Sequence, residues 1–444
     1  MQPMADADLL ISGGLILTLD EKDTAIEDGS LVISGDAIAD IGPRSLLEKR
    51  WHARDVLDAR GCLVMPGLVN AHTHAAMTCF RGIADDMDLM EWLNNYIFPA
   101  EAKNVDPEFV YWGTLLACAE MIRSGTTTFS DMYIFEDETA RACSDAGMRS
   151  ILGEVLFDFP SPNFKTPDEG LAYTERLIRK WSDHPLVRIM VEPHALYTCS
   201  EEILLRSKGL ADRYGLRYAV HLLENRQETR QLQAKFGKKA VTFLRDIGFL
   251  TDRFFAFHCV CLDEDDIAML ADGGCGAVHV PESNMKLASG CAPVSKMISA
   301  GIPVGLGTDG CASNNNLDMF GEMDSAAKLE KVERLDPTLM SARTVLRMAT
   351  CQGARVLGMD GQVGRLEKGM KADVIVLNLN KPHLTPLYNA HSQLVYAASG
   401  ADVETTVING RIVMKNRRIL TFDENEAMSR VSAIALRVKR SLSS

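Results

Sequence analysis

His72 and His74 are the first residues in this chain whose type and spacing suggest chemistry. Residues i and i+2 of an extended segment face the same side, so both imidazoles can reach one cation. An HxH pair alone is common. Here His221 and then Asp309 follow, making a set of three histidines and one carboxylate. Nitrogen and oxygen donors of this kind suit one divalent ion, with Zn2+ first and Fe2+, Ni2+ or Mn2+ as alternatives. Glu224, three residues after His221, stands where a carboxyl would lie beside a metal ligand.

Such residues need a scaffold that gathers them. The middle of the chain alternates short apolar segments with longer helical ones, the pattern of a parallel α/β architecture. Eight strands are predicted, at 68–74, 126–132, 150–156, 187–194, 218–224, 254–259, 276–280 and 303–309. Eight strand–helix units over about 250 residues match a (β/α)8 TIM-type barrel. An open doubly wound sheet is the competitor, but no GxGxxG follows an early strand. The candidate strands run into Asp131, His194, His221, Glu224, His258, His279 and Asp309. In a barrel the carboxyl ends of the strands converge on one mouth. Both chain ends read as strands and turns, among them 9–19, 30–34, 373–379 and 405–413. The expected organisation is a composite β-sandwich domain from residues 1–62 and 366–444, with a C-terminal helix, around a catalytic barrel of residues 63–365. Two separate β appendages are the alternative.

The 444 residues carry 47 Lys and Arg against 60 Asp and Glu, a net charge of −13. So acidic a surface, without a basic stripe, argues against nucleic acid as a partner but leaves a free nucleoside open. Hydrophobic residues at 46% and charged residues at 24% describe an ordinary globular protein and exclude disorder and fibre. The eleven cysteines form no CxxC pair and read as reduced thiols, which favours the cytoplasm. No basic leader and no apolar run of about 18 residues is visible, so neither a signal peptide nor a membrane partner is expected. A homo-oligomer is expected.

The runs Met65–His74 (MPGLVNAHTH), His221-Leu-Leu-Glu224, Phe257-His258-Cys259 and Gly305–Gly310 (GLGTDG) resemble the amidohydrolase superfamily. Phe98–Glu101 (FPAE), Ser124–Thr128 (SGTTT), Glu192-Pro193-His194, Ser283–Leu287 (SNMKL) and Ala312–Asn315 (ASNN) extend the resemblance, over essentially the whole chain, to the 5-methylthioadenosine/S-adenosylhomocysteine deaminases. The HxH, HxxE, H and TDG series is shared with guanine deaminases and triazine hydrolases, which leaves a hydrolase of another aromatic ring as the alternative enzyme. A metal-free barrel acting as a scaffold is the non-enzymatic alternative, and the presence of all four ligand residues argues against it.

The resemblance implies one metal held by His72, His74, His221 and Asp309, since strand four carries no lysine that could bridge two ions. It implies that Glu224 protonates the purine ring, that Asp309 moves the water proton, and that His258 hydrogen-bonds the attacking oxygen. Glu101 is implied to take the ribose hydroxyls and His194 the ribose or a ring nitrogen. Trp92 covers the sugar or thioether or else belongs to the core, and Ser313 and Asn314 either touch the purine or shape the loop after Asp309. One departure stands out. Where relatives that take S-adenosylhomocysteine are expected to carry an arginine after strand three, this chain has Glu154. That disfavours the homocysteine carboxylate, unless Arg149 or Arg176 takes the missing role.

Overall fold

The computed structural model describes residues 4–442. Eight parallel strands run through its middle: β1 Leu68–Thr73, β2 Thr126–Tyr133, β3 Arg149–Leu156, β4 in two pieces (Val187–Ile189 and Glu192–Pro193), β5 Tyr218–Leu222, β6 Phe254–His258, β7 Gly276–His279 and β8 Val304–Leu306. Apart from β4, every residue of these strands is buried, as expected of strands covered on both faces. Helices such as Pro107–Arg123 and Glu201–Tyr214 lie between them. Their starts are set locally, because the side chains of Asp106 and Ser200 accept the backbone N–H groups of Phe109 and Ile203.

The strands form two parallel arcs, β4-β3-β2-β1 and β5-β6-β7-β8. Single bridges at Val191–Tyr218 and Ala195–His221 join β4 to β5. On the other side β8 closes on β1, where the Asp309 N–H donates to the His72 carbonyl at 3.0 Å. Gly307 makes that approach feasible, since a Cβ there would stand 2.8 Å from the His72 nitrogen. The fold is therefore the TIM-type barrel with an extra domain.

Strands from both chain ends share one nine-stranded sheet rather than two β appendages. Its central pairings join Cys62–Pro66 to Ala5–Leu17 in parallel and to Val374–Asn378 antiparallel. One apolar cluster, including Ile11, Ile33, Val64, Val374 and Val407, spans the sheet. Two expected boundaries shift. The terminal sheet runs on to Pro66, and the chain enters the barrel at Gly67, not at residue 63. The reason is the pairing of Val64, Met65 and Pro66 with Val376, Ile375 and Val374. The C-terminal helix Glu424–Leu442 also leaves the β unit. Its apolar stripe of Ala427, Val431, Ile434 and Val438 joins the barrel core. Arg123–Glu424 (2.9 Å) and Arg437–Asp106 (2.9 Å) fasten it there.

Arg149 joins the sheet to the barrel. Its guanidinium forks onto both Asp373 carboxylate oxygens at 2.7 and 2.9 Å, with the two side chains 4% and 1% exposed. Asp373 also accepts the Asn409 N–H at 2.7 Å. Asp373→Ala leaves a buried cation unpaired and is expected to cost about 3–5 kcal/mol, read as a lower midpoint of chemical unfolding. Replacing Arg149 and Asp373 together by apolar residues is expected to recover most of that loss.

Candidate active site

The predicted ligand residues converge where β1, β5 and β8 end. The His72 and His74 rings stand 4.8 Å apart, and His221 lies 5.0 and 5.5 Å from them. Asp309 Oδ1 is 3.4 Å from His72 Nε2 and 3.2 Å from His74 Nε2. Donor atoms of His72, His74 and Asp309 all fall within 4.8 Å of one another, as do those of His72, His221 and His258. Second partners orient the rings. His74 Nδ1 donates to the Met132 carbonyl at 2.5 Å and His221 Nδ1 to the His194 carbonyl at 2.8 Å, which frees both Nε2 atoms for an ion.

His72 is the test of fit. It is fully buried, and neither ring nitrogen has a hydrogen-bond partner. A buried imidazole left so is costly unless a further group completes it. Burial, with the charges of neighbouring histidines, holds His221 well below its ordinary pKa, so it is a neutral donor. Burial likewise brings His72 to about 3, against the pull of Asp309. Asp309 resists its own burial: the His72 and His74 imidazoles close beside it hold it well below the usual carboxylate range. Its oxygens also accept the Gly310 N–H (2.8 Å) and the hydroxyls of Ser283 (2.7 Å) and Ser313 (2.9 Å). These residues fit a divalent cation.

Three of the site-bearing strand ends leave through left-handed backbone, at Leu223 (φ 52°), His258 (φ 68°) and Asp309 (φ 62°). Non-glycine residues adopt this conformation at a cost and only where the surroundings enforce it. At Leu223 the enforcing group is Glu228, whose carboxylate accepts the N–H groups of Leu223 (3.1 Å) and Glu224 (2.6 Å). The sequence reading missed Glu228. Its position in the first turn of a helix capped by Asn225 was the available signal. Asp131 is a similar holder: it accepts the Thr73 hydroxyl (2.5 Å) and the Ala75 N–H (2.6 Å), bracing the strand that carries both ligand histidines.

A cavity enclosing about 610 Å³, including space open to solvent, rises above the cluster. His74, His194, His221, Glu224, His258, Asp309, Glu101, Trp92 and Ser313 all line it. Glu224 Oε2 lies 3.7 Å from His258 Nε2, and His258 Nδ1 is 3.0 Å from Asn284 Oδ1. Burial raises Glu224 above an ordinary carboxyl, against the opposing pull of His258. Glu101 is pushed by burial to about 7, with Tyr133 and His74 opposing. The His194 ring is anchored through Nδ1 to the Thr198 hydroxyl at 2.8 Å, and burial among other histidines lowers it to about 3.

Several expectations need correction. Glu154 does not line the cavity. It points to the start of the preceding helix, Glu136–Ala146, accepting the N–H groups of Phe135 (3.3 Å) and Glu136 (2.9 Å) and the Asn163 amide (2.7 Å). Its neighbour Val155 lines the cavity instead, because successive strand residues face opposite sides. Arg149 is committed to Asp373, and Arg176 lies over the Tyr173 ring, 5.4 Å from its centroid. The Ser313 hydroxyl turns to Asp309, and the Asn314 amide binds the Thr308 carbonyl and Glu322, so neither is directed first at a purine. His279 is buried on β7 but does not line the cavity.

Comparison with known proteins agrees with this geometry. The model of the amidohydrolase family matches residues 63–413. The chain is 65% identical over 439 residues to a 5-methylthioadenosine/S-adenosylhomocysteine deaminase of Syntrophus aciditrophicus, covering 99% of each chain. It is 54% identical to a deaminase of the same name from Syntrophobacter fumaroxidans, over 98% of this chain and 99% of that one. The crystal structure of an adenosine deaminase from Xanthomonas campestris with bound zinc superposes with a TM-score of 0.97 at 37% identity, over 99% of this chain and 100% of that chain.

Replacing His72 and His74 together by Ala is expected to leave folded protein whose metal content, measured by elemental analysis after desalting, falls from about one ion per chain to background. Full occupancy in the double variant would refute this ligand set.

Proposed function

The chain belongs to the amidohydrolase family, and from that premise we propose how its cavity deaminates adenosine derivatives. The enzyme converts 5′-modified adenosines to the corresponding inosines and releases ammonia. One observation carries the reading: a single cavity holds the histidine–aspartate cluster, a raised carboxyl at Glu224 and a second buried carboxyl at Glu101.

His72, His74, His221 and Asp309 would hold the metal, and zinc is supported by the ion bound in the Xanthomonas campestris structure. When bound, a divalent ion acts as a Lewis acid and brings the pKa of water toward 7. The chain's own groups do the rest. Glu224, raised by burial above an ordinary carboxyl, donates to the purine ring nitrogen N1 and makes C6 electrophilic. Asp309 takes the proton of the attacking water and passes it to the departing amine. His258, with Nδ1 on Asn284 Oδ1, presents Nε2 to the attacking oxygen and, as the amine leaves, passes the remaining water proton to Glu224, 3.7 Å away, restoring the proton given to N1. Glu101 accepts both ribose hydroxyls, which suits a carboxylate with two oxygens, and His194 contacts the sugar. Trp92, tied by its indole N–H to the Ala84 carbonyl at 3.1 Å, covers the sugar end. The eleven cysteines, all unpaired, support a reducing compartment such as the cytoplasm.

A spectrophotometric assay of adenosine analogues, with ammonia measured in parallel, tests the activity. Deamination of a free base with none of any nucleoside would overturn the reading. Glu224→Gln is expected to keep the metal and lower kcat by about 10²- to 10⁴-fold; a kcat within threefold of wild type would place the proton donor elsewhere. Glu101 gives a pH signature. An acid whose pKa is raised to about 7 is ionised only above that pH, so the diol loses its acceptor as pH falls. KM is therefore expected to rise as pH falls from 8 to 6, and in Glu101→Gln to be high and flat over the same range.

A further inference from the structure

Beside His194 the cavity is walled by the aromatic rings of Phe98 and Phe157. Phe98 lies one helical turn before Glu101, so both side chains leave the same face of the helix Phe98–Asn104. Where an arginine was expected after β3, the chain runs into Phe157 and Phe159. Their rings stack with centroids 4.7 Å apart and planes 22° apart. Phe98 meets both edge-on, at 6.4 and 6.0 Å, and Phe157 stands 5.1 Å from His194. Phe157 is buried, whereas Phe159 is 38% exposed, so the aromatic wall continues from the cavity to solvent. No Lys or Arg lines this cavity among the described residues.

We infer that Phe98, Phe157 and Phe159 form the subsite for the 5′ substituent and select neutral apolar groups, aromatic thioethers larger than methylthio included. The inference rests on the deaminase reading, in which Glu101 and His194 hold the ribose and so direct its 5′ carbon toward these rings. A thioether sulfur is polarisable and favourable about 5 Å from an aromatic ring. An aryl group on that sulfur adds another ring to the Phe157–Phe159 stack and follows it outward instead of meeting a wall. The ammonium and carboxylate of a homocysteinyl group would lose hydration here with no opposite charge to receive them.

The test compares kcat/KM for 5′-deoxyadenosine, 5′-methylthioadenosine, 5′-benzylthio-5′-deoxyadenosine and S-adenosylhomocysteine with metal-loaded wild type, Phe159→Ala and Phe159→Arg. Wild type is expected to use the benzylthio compound at least as well as the methylthio compound, and S-adenosylhomocysteine roughly tenfold less well or worse. Phe159→Ala is expected to reduce the ratio of benzylthio to 5′-deoxyadenosine turnover by roughly fivefold, about the worth of one aromatic pair. Phe159→Arg is expected to raise the ratio of S-adenosylhomocysteine to methylthioadenosine turnover. Ratios within one preparation cancel differences in folded fraction. Equal or better use of S-adenosylhomocysteine by wild type, or a benzylthio ratio unmoved in Phe159→Ala, would overturn the subsite. Turnover of none of the four nucleosides would instead overturn the deaminase reading on which it rests.

Discussion

Burying Asp309 among three imidazoles is the constraint around which this molecule is arranged. A carboxylate at 4% exposure and a histidine at 0% cannot be left to water, and the protein supplies only part of what they need. Ser283, Ser313 and the Gly310 N–H satisfy the carboxylate, while His72 keeps both ring nitrogens without a hydrogen bond. The surroundings are built to keep that arrangement in place. Gly307 lets β8 pass close to β1, Asp131 braces the strand end between the two ligand histidines, and left-handed backbone at Asp309 turns its side chain onto the cluster.

Buried carboxyl groups recur through the barrel, and their partners separate their roles. Asp309 has imidazole and hydroxyl partners and is held well below the usual carboxylate range. Glu224 faces the cavity with His258 at 3.7 Å and is raised by burial above an ordinary carboxyl. Glu228, about 8 under its own burial and the charge of Glu224, spends its oxygens on two backbone N–H groups and fixes where Glu224 stands. Glu154 spends its oxygens on a helix start and leaves the cavity uncharged on that side. One residue type thus faces the cavity, supports backbone and caps a helix start, divided by what each carboxyl meets.

The terminal sheet and C-terminal helix stand outside the cavity but hold its frame. Arg149 lies on β3, whose far end leads into Phe157, and it is clamped by Asp373 of the sheet. Through Arg437 the C-terminal helix braces Asn104, the last residue of the helix that carries Glu101, and Asp106 just past it. Ends of the chain distant in sequence therefore fix two walls of the site.

The sequence by itself determined the ligand types, the strand periodicity and the strand-rich character of both chain ends, because each is a local property. HxH on an extended segment puts two imidazoles on one side whatever surrounds it, and alternating apolar runs must be buried. The sequence could also show that β3 is followed by aromatic residues. It could not say that Glu154 turns outward while Val155 faces the cavity, since parity depends on where β3 registers against β2 and β4. Nor could it show that Ser313 is turned to Asp309, that the C-terminal helix belongs to the barrel, or that Arg149 is already paired. Those outcomes rest on contacts between residues far apart in the chain, 224 positions for Arg149 and Asp373 and 333 for Asn104 and Arg437, and which buried polar groups find each other is decided only when the chain closes.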